Sequence, residues 1–275
     1  MIDRRRFAAL LARGIGASLA IAGVAPAAAL AGRPAARGRQ RRLLVFTKSA
    51  GFEHDVVRSI GGEPSVVERA MAQLADRIGF SATITKDGER FARELAAHDA
   101  VLFYTTGDLT SAGTDGNTPM PAEARDALIQ AVEDGLGFIG VHSASDTFHS
   151  PENSVDPYIA MLGGEFESNG RPQRARVTIL DANFPGMPDG SELERHGEWY
   201  AFRNLAPDVH PLLRLETGSM QGDDYERDPY PVAWTRQPGS GRVFYTALGH
   251  FAEEWEDPDF LRMLEGGIQW AAGAM

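Results

Sequence analysis

Three histidines of this 275-residue chain stand where predicted strands end, and their imidazoles could carry out acid–base or metal chemistry. His142 lies in the run GFIGVHSASD, His54 comes shortly after LLVFT, and His250 directly follows RVFYTALG. Imidazole titrates near neutral pH, so it can move protons beside a carbonyl, and it is also a common metal ligand. The spacing contains no HExxH-type motif, so both kinds of chemistry stay open.

Carboxylates near these histidines complete the candidate catalytic set. Asp55 is adjacent to His54, Asp146 follows His142 in the same run, and Glu198 precedes a predicted strand. A carboxylate could act beside the imidazoles as an acid or base, or it could join them in holding a divalent ion that polarises a carbonyl. The candidate metal ligands are His54, His142, Glu198 and His250, and the identity of the metal is open.

A second group of residues is predicted to bind a substrate, because its members also follow strands or carry aromatic faces. Trp199, Tyr200 and Phe52 could offer ring faces to a ligand, and Asp108 and Arg203 could offer polar contacts. The complete set of candidate binding residues is Lys48, Phe52, Gly107, Asp108, Ser143, Tyr200 and Arg203.

Covalent catalysis is disfavoured by the residue types present. The chain has no cysteine, which excludes a thiolate nucleophile, thiolate metal ligands and disulfides. Ser143 would need a positioned base and an oxyanion hole, and its surroundings, GVHSA, lack the G-x-S-x-G pattern of a nucleophile elbow.

Buried strands that alternate with helices are predicted to position these side chains. Leu43–Thr47, Asp99–Thr105 and Phe138–Val141 are apolar runs, and Glu63–Ile78 has the apolar stripe of a helix. Such alternation is typical of βαβ units with a parallel sheet. Because the carboxyl ends of parallel strands share one edge, the polar clusters should converge there.

Capping signals delimit the helices, and the second half of the chain contains more strands. Ser65 and Glu68 have capping-box spacing, Pro121 is predicted in the first turn of a helix, and Asp257 with Pro258 should begin the last helix. The order of the strands after residue 175 is not determined by the sequence. The later strand segments are Ala175–Leu180, Trp199–Arg203, Leu212–Leu215, Val232–Thr235 and Arg242–Leu248.

The N-terminus is predicted to be a targeting segment. Arg4, Arg5, Arg6 and Phe7 form a twin-arginine pattern ahead of an alanine-rich stretch, and a small-residue cleavage site ends at Ala31. An uncleaved membrane anchor is disfavoured, because the stretch is only weakly hydrophobic. We therefore predict a signal peptide over 1–31, a flexible linker over 32–40, one domain over 41–275, and a periplasmic or extracellular location.

The charge of the mature chain narrows the choice of partners. The signal segment carries four arginines and one aspartate, so its removal changes the formal net charge from −11 to −14. An acidic domain is a poor partner for nucleic acid. No glycine-rich phosphate motif follows the first strand, so a nucleotide cofactor is not expected. The oligomeric state is left open.

Several blocks of the chain resemble the ThuA-like family, which is named for trehalose utilisation. These blocks are LLVFTKSAGFEHD, TTGD, GFIGVHSASD, GEWYAFR, PVAWTRQPGSGRVFYTALGH and FLRMLEGGIQWAAG, and they span about Leu43 to Gly273. The resemblance implies a three-layer α/β/α sandwich that is flavodoxin-like and similar to class I glutamine amidotransferases. His142 lies near the position of the reactive cysteine in those relatives, so glutamine amide transfer is not expected.

The resemblance also implies a carbohydrate as the small-molecule ligand. An exported lyase, isomerase or hydrolase that acts on a sugar or keto-glycoside is the favoured function, because converging histidines are an unusual choice for simple sugar binding. The alternatives are a non-catalytic carbohydrate-binding module and an interaction domain. The sequence determines neither the substrate nor the reaction.

Overall fold

The centre of the protein is a mixed sheet of nine strands, seen in a computed structural model that describes residues 39–275. The strands of this range are β1 Arg41–Phe46, β2 Phe80–Thr85, β3 Ala100–Phe103, β4 Gly137–Val141, β5 Glu165–Asn169, β6 Gln173–Ile179, β7 Glu192–Gly197, β8 Tyr200–Arg203, β9 His210–Glu216, β10 Tyr230–Arg236 and β11 Arg242–Thr246. The α-helices are α1 Val66–Arg77, α2 Gly88–Glu94, α3 Ala122–Glu133, α4 Pro157–Leu162 and α5 Pro258–Ala271.

The large sheet has a parallel half and an antiparallel half. Its strand order is β2-β1-β3-β4-β11-β10-β9-β6-β7. The first five strands of this order run parallel, and the remaining four each run antiparallel to their neighbours. β5 and β8 pair with each other in a separate two-stranded sheet. The predicted α/β sandwich with a parallel core is confirmed, whereas β5 and β7 are strands that the sequence pattern did not indicate.

Apolar side chains explain why the parallel half forms. The residues of β3 and β4 are all buried, as are Leu43, Leu44, Val45 and Phe46 of β1. A strand that is covered on both faces needs such a continuous apolar sequence. The core therefore lies on both sides of the strands whose ends carry the candidate histidines.

The helix caps follow the local sequence closely. Ser65 caps α1, and its side chain and that of Glu68 form the reciprocal bonds of a capping box. Asp257 caps α5, with Pro258 in the first turn. Pro121 was predicted in the first turn of a helix but lies one position earlier, as the N-cap residue of α3, and the helix begins at Ala122.

The predicted signal peptide, 1–31, and positions 32–38 of the predicted linker lie outside the described residues. Across 39–275, none of the helices has both the length and the apolar character that crossing a bilayer requires.

Candidate active site

Four side chains from distant parts of the chain meet beyond the carboxyl ends of the parallel strands. His54 lies in the loop after β1, His142 directly after β4, and His250 after β11, while Glu198 joins β7 to β8. One potential ligand atom from each of the four lies within 4.8 Å of the others. We call these residues, His54, His142, Glu198 and His250, the quartet.

His142 is held in one orientation by its backbone and by a single hydrogen bond. Its φ of 47° lies in the left-handed region, which is costly for a residue with a side chain and is maintained only where surrounding packing enforces it. Nδ1 lies 2.7 Å from the carbonyl oxygen of Ala247. A carbonyl can only accept, so Nδ1 carries the proton and Nε2 of the neutral ring presents a lone pair to the quartet.

Glu198 directs one carboxylate oxygen at two of the histidines. Oε2 lies 3.0 Å from His250 Nδ1 and 3.4 Å from His142 Nε2, and these two nitrogens are 3.1 Å apart. Asn169 fixes the carboxylate from behind, because its Nδ2 donates to Oε1 at 3.0 Å. The facing lone pairs of His142 and Glu198 need a proton or a cation between them.

His54 completes the quartet from a buried position. The residue is 4% exposed, its Nδ1 has no hydrogen-bond partner, and its Nε2 lies 3.4 Å from the hydroxyl of Tyr200. Burial lowers the pKa of His54 to about 2, with the like charges of His142 and His250 adding to the effect. His54 is therefore a neutral imidazole at physiological pH.

Glu198 has the opposite electrostatic character, because it is ionised. Burial alone would raise the pKa of this carboxyl, but the hydrogen bonds and charges of His142 and His250 in their protonated forms outweigh burial and hold the pKa well below its usual range. The quartet thus combines imidazole lone pairs with one negative charge, the arrangement that a divalent cation needs.

The predicted binding residue Tyr200 does lie against the quartet. Its ring centroid is 4.3 Å from that of His142, and the side chain is buried. Burial raises the pKa of Tyr200 well above its usual value, so the hydroxyl stays protonated. Tyr200 can donate a hydrogen bond toward His54 or toward a ligand, but not both at once.

Ser143 lies next to the quartet without joining it. Its hydroxyl is buried and has no hydrogen-bond partner, so no base is positioned to activate it. Ser143 therefore lacks the contact that nucleophilic catalysis requires.

Lys48 and Gly107, both predicted to bind substrate, make contacts within the protein. The Lys48 ammonium is fully buried and bonds Asp115 at 3.1 Å and the carbonyl of Asn117 at 2.8 Å. Gly107 has a φ of 71°, and a β-carbon there would lie 2.6 Å from the backbone nitrogen of Gly51. Both residues make contacts that hold loops together.

Asp55 and Asp108 also lie outside the quartet. The Asp55 side chain is 90% exposed and pairs with Arg58 at 2.7 Å, although it borders the neighbouring cavity. Asp108 is exposed and accepts from the backbone nitrogen of Thr110 at 3.0 Å, as in a turn. The buried ring of Trp199, whose Nε1 bonds the carbonyl of Gln173, likewise offers no face to a ligand.

Asp146 and Arg203 belong to a separate cluster that the sequence did not reveal. Asp146 lies 3.0 Å from Nε2 of His149, and His149 Nδ1 lies 3.5 Å from the buried carboxylate of Glu165. Arg203 and Asn204 donate to Glu165 at 2.6 and 2.7 Å. We call these five residues the Glu165 network. Nothing in the sequence marked Glu165, because the strand that contains it was not predicted.

A cavity of about 400 Å³ opens beside the quartet. Its lining includes the predicted residues Phe52, His54, Asp55 and His250. It also includes Phe251 and Glu253, which the sequence analysis missed although they directly follow His250. The cavity is in the size range of small-molecule sites and gives a ligand access to two of the quartet histidines.

Comparisons with known proteins support this interpretation of the fold. The model of the ThuA family, described as trehalose utilisation, matches residues 42–271. A protein described as ThuA-like from Bacteroides uniformis is 21% identical, with a TM-score of 0.64, and the match covers 87% of this chain and 95% of that one. A second, from Parabacteroides merdae, is 15% identical, with a TM-score of 0.63, and covers 86% and 91%.

Part of a larger enzyme has a similar fold. The β-galactosidase from Bacillus circulans sp. alkalophilus is 12% identical, with a TM-score of 0.50, and the match covers 85% of this chain and 31% of the galactosidase. At this identity the likeness concerns the fold alone. No curated protein gave a significant match. Because the family model matches nearly the whole described region, the chain belongs to the ThuA family.

Proposed function

We propose that this protein is a divalent-metal-dependent enzyme that acts on a sugar or keto-glycoside, with the quartet as its metal centre. The observation that carries the proposal is the convergence of three imidazoles and one carboxylate within 4.8 Å. The family's association with trehalose utilisation supports a carbohydrate as the substrate.

The distances among three ligand atoms of the quartet fit a metal ion. Ligands about 2.0–2.1 Å from a tetrahedral zinc ion lie about 3.3 Å from one another. The separations among His142 Nε2, His250 Nδ1 and Glu198 Oε2 are 3.1, 3.0 and 3.4 Å. A donor set dominated by imidazole favours a first-row transition metal over magnesium or calcium.

The surroundings of the quartet have the outer contacts that metal ligands usually have. The Ala247 carbonyl fixes the His142 tautomer, and Asn169 fixes the Glu198 carboxylate. Such contacts orient the ligands and are part of what determines metal affinity. When bound, a divalent ion would polarise a carbonyl or hydroxyl pair of the sugar.

The other reactions considered have less support. With no cysteine and no base on Ser143, acyl transfer from glutamine has no nucleophile. Metal-free acid–base catalysis would have to use His142 or His250, because burial lowers the pKa of His54 to about 2 and keeps that ring neutral. A non-catalytic sugar-binding module is the second candidate, favoured by the open cavity beside the quartet.

The proposal is tested by metal analysis of the purified protein and of two matched histidine variants. We expect about one equivalent of zinc, manganese or nickel in the wild type and its loss in His142→Ala. In His210→Ala it should be retained, because His210 is exposed and pairs with Asp181. Circular dichroism checks that all three proteins are folded.

A turnover screen with glycosides and keto-glycosides then separates an enzyme from a binding module. Metal-dependent product formation that is lost in His142→Ala supports the enzyme. If no metal binds after incubation with each ion in turn, the metal-centre proposal is wrong. Binding without product would support the module instead.

We also propose that the protein reaches the periplasm or the exterior by the twin-arginine route. The RRRF pattern near the N-terminus carries this proposal. Replacement of Arg5 and Arg6 by lysine should leave the full-length precursor in the cytoplasm, as measured by cell fractionation. Unchanged export of that variant would contradict it.

A further inference from the structure

We infer that Glu254 is a positioning residue for His250, and that its carboxylate controls how tightly the quartet binds a metal ion. The inference rests on the proposed metal centre and adds a residue that belongs neither to the quartet nor to the lining of the cavity. We call the carboxylate of Glu254 and the two backbone N–H groups that it binds, those of Gly249 and Phe251, the Glu254 clamp.

The Glu254 clamp binds the backbone on both sides of His250. Oε1 accepts from the backbone nitrogen of Gly249 at 3.0 Å, and Oε2 accepts from that of Phe251 at 3.0 Å. Glu254 is 8% exposed, so water competes little for these bonds. Hydrogen bonds to a carboxylate are stronger than those between neutral groups. One buried side chain therefore holds the two residues that flank His250 in the sequence.

The backbone of Gly249 is also held from its carbonyl side. The carbonyl oxygen accepts from the Tyr104 hydroxyl at 3.1 Å and from Nε1 of Trp255 at 2.9 Å. The φ of Gly249 is 108°, which glycine adopts far more readily than other residues, and a β-carbon there would lie 3.1 Å from Cγ1 of Val141. The chain therefore enters His250 in one direction, which three hydrogen bonds maintain.

His250 depends on this backbone because its ring has no anchoring hydrogen bond of its own. Its Nδ1 faces His142 and Glu198 inside the quartet, and its Nε2 has no hydrogen-bond partner within residues 39–275. His142, by contrast, is anchored from outside the quartet by the carbonyl of Ala247. For His250, the equivalent support has to come through the main chain.

The clamp also holds a ring that packs against His250. The Phe251 ring lies 4.5 Å from that of His250, at an interplanar angle of 86°. Because Glu254 binds the backbone nitrogen of Phe251, the backbone direction and the ring packing of His250 both depend on the same carboxylate. Removal of an outer contact that orients a metal ligand typically lowers metal affinity by about 10- to 100-fold.

Glu254→Gln tests the inference with little change in shape. The amide keeps one acceptor oxygen, but its amino group cannot accept from the other backbone N–H, so one of the two bonds is lost. We expect metal affinity, measured by equilibrium dialysis on the full-length protein, to fall about tenfold. Glu256→Gln is the matched control and should leave the affinity unchanged. Glu256 belongs to the same short helical turn, Ala252–Glu256, and is exposed, without a hydrogen bond or ion pair within residues 39–275.

A second measurement reports on His250 in the absence of metal. Long-range proton–nitrogen NMR spectra of the metal-free protein detect the ring nitrogens of each histidine. The His250 signals should shift or broaden in Glu254→Gln and stay as in the wild type in Glu256→Gln. Those of His98, whose Nδ1 lies 2.7 Å from the carbonyl of Glu94, should not move in either variant. If Glu254 only stabilised the fold, the free energy of unfolding would fall and the His250 signals would not change.

Tyr104→Phe decides the question if circular dichroism shows that Glu254→Gln does not fold. This variant removes one hydrogen bond to the Gly249 carbonyl and keeps the ring. We expect the His250 signals to shift and metal affinity to fall about threefold, as for the loss of one neutral hydrogen bond. Unchanged signals and unchanged affinity would overturn the inference.

The outcomes separate this inference from the proposed function. Equal metal affinity in the wild type and Glu254→Gln, or an equal loss in Glu256→Gln, would overturn the role of Glu254 and leave the metal centre intact. No metal in the wild type, with His250 signals that still depend on Glu254, would refute the metal centre and leave the positioning of the imidazole standing. No metal and unchanged His250 signals would overturn both.

Discussion

The quartet and the Glu165 network each contain a buried or half-buried carboxylate next to histidine, but their hydrogen bonding differs. The carboxylate of Glu165 receives hydrogen bonds from the backbone nitrogen of Ser150 at 2.9 Å and from the side chains of Arg203 and Asn204. Glu198 receives one firm bond from Asn169, and its other oxygen faces imidazole nitrogens.

This difference separates a structural cluster from a functional one. The donors around Glu165 include the guanidinium of Arg203, so the charge of the carboxylate is compensated within the protein. In the quartet, lone pairs of His142 and Glu198 face each other, and the protein leaves their compensation to a proton or a cation. We interpret the Glu165 network as the element that holds the loop after His142, and the quartet as the site that binds.

The largest expected effect is on metal binding when Glu198 is changed. Glu198→Gln removes the only negative charge of the quartet, so metal affinity should fall by more than about 100-fold. Equilibrium dialysis against the metal measures it. Glu165→Gln is the matched control and should retain full metal content. Equal loss in both variants would remove the distinction between the two clusters.

The next effect concerns the free energy of unfolding. Here Glu165→Gln should have the larger effect and Glu198→Gln the smaller one, the reverse of their order for metal binding. Glu165→Gln turns the charge-assisted hydrogen bonds of this carboxylate into neutral ones, so the free energy of unfolding should fall by about 2 kcal/mol. The metal-free Glu198→Gln protein should lose less, because Glu198 has fewer compensating donors. Urea denaturation in the presence of a chelator measures both. A greater loss in Glu198→Gln would contradict the structural role of Glu165.

At low pH, Glu165 should no longer contribute to the free energy of unfolding. Burial would raise the pKa of this carboxyl, but the bonds from Arg203, Ser150 and Asn204 together lower it to about 2, from a usual value of 4.5. A lowered pKa stabilises the fold above pH 4.5, and that stabilisation disappears as the pH falls toward 2. The difference in unfolding free energy between wild type and Glu165→Gln should narrow over this interval. A constant difference would indicate that the charge of Glu165 is not what stabilises the loop.

A smaller difference in stability is expected between two variants of His142, because its backbone lies in the left-handed region. Asparagine tolerates the left-handed region better than alanine, so His142→Asn should be more stable than His142→Ala by about 1 kcal/mol. Thermal unfolding of the two metal-free variants measures this difference. Equal melting temperatures would mean that the φ of 47° carries little strain.

The smallest effect is expected at His149, whose side chain is 49% exposed. The hydrogen bond to Asp146 raises its pKa above 6.5, against the opposing effect of burial. Its ion pairs therefore stabilise the fold below pH 6.5, and this stabilisation is lost as the pH rises through the raised pKa. His149→Gln should cost at most about 0.5 kcal/mol, and only at low pH. Urea denaturation at pH 5.5 and pH 8.5 would measure it, and an equal cost at both would exclude a role for the charge.

Much of the quartet could be predicted because its histidines follow strands of the parallel half. The apolar runs of β1, β4 and β11 indicated those strands, and parallel pairing brings their carboxyl ends to one edge. Glu198 was a candidate only because it precedes a strand. The sequence did not determine which way its side chain points.

Several predicted site residues lie away from the quartet's contacts, because their local sequence pattern suits two environments. Lys48 follows β1 as a binding residue would, yet its ammonium forms a buried ion pair with Asp115. Asp146 and Arg203 were expected near the quartet and instead serve Glu165 through His149 and a direct ion pair. A polar residue after a strand can face a ligand or anchor a loop, and only its partners decide which.

The sequence by itself determined the parallel core, the caps of α1 and α5 and the edge where the histidines would gather, because these follow from periodicity and from bonds between near neighbours. The tertiary structure alone decided that β7 and β8 deliver Glu198 to that edge, and that Phe251 and Glu253 line the cavity. Pairing between distant strands depends on how whole surfaces pack, and no local spacing in the chain encodes that outcome.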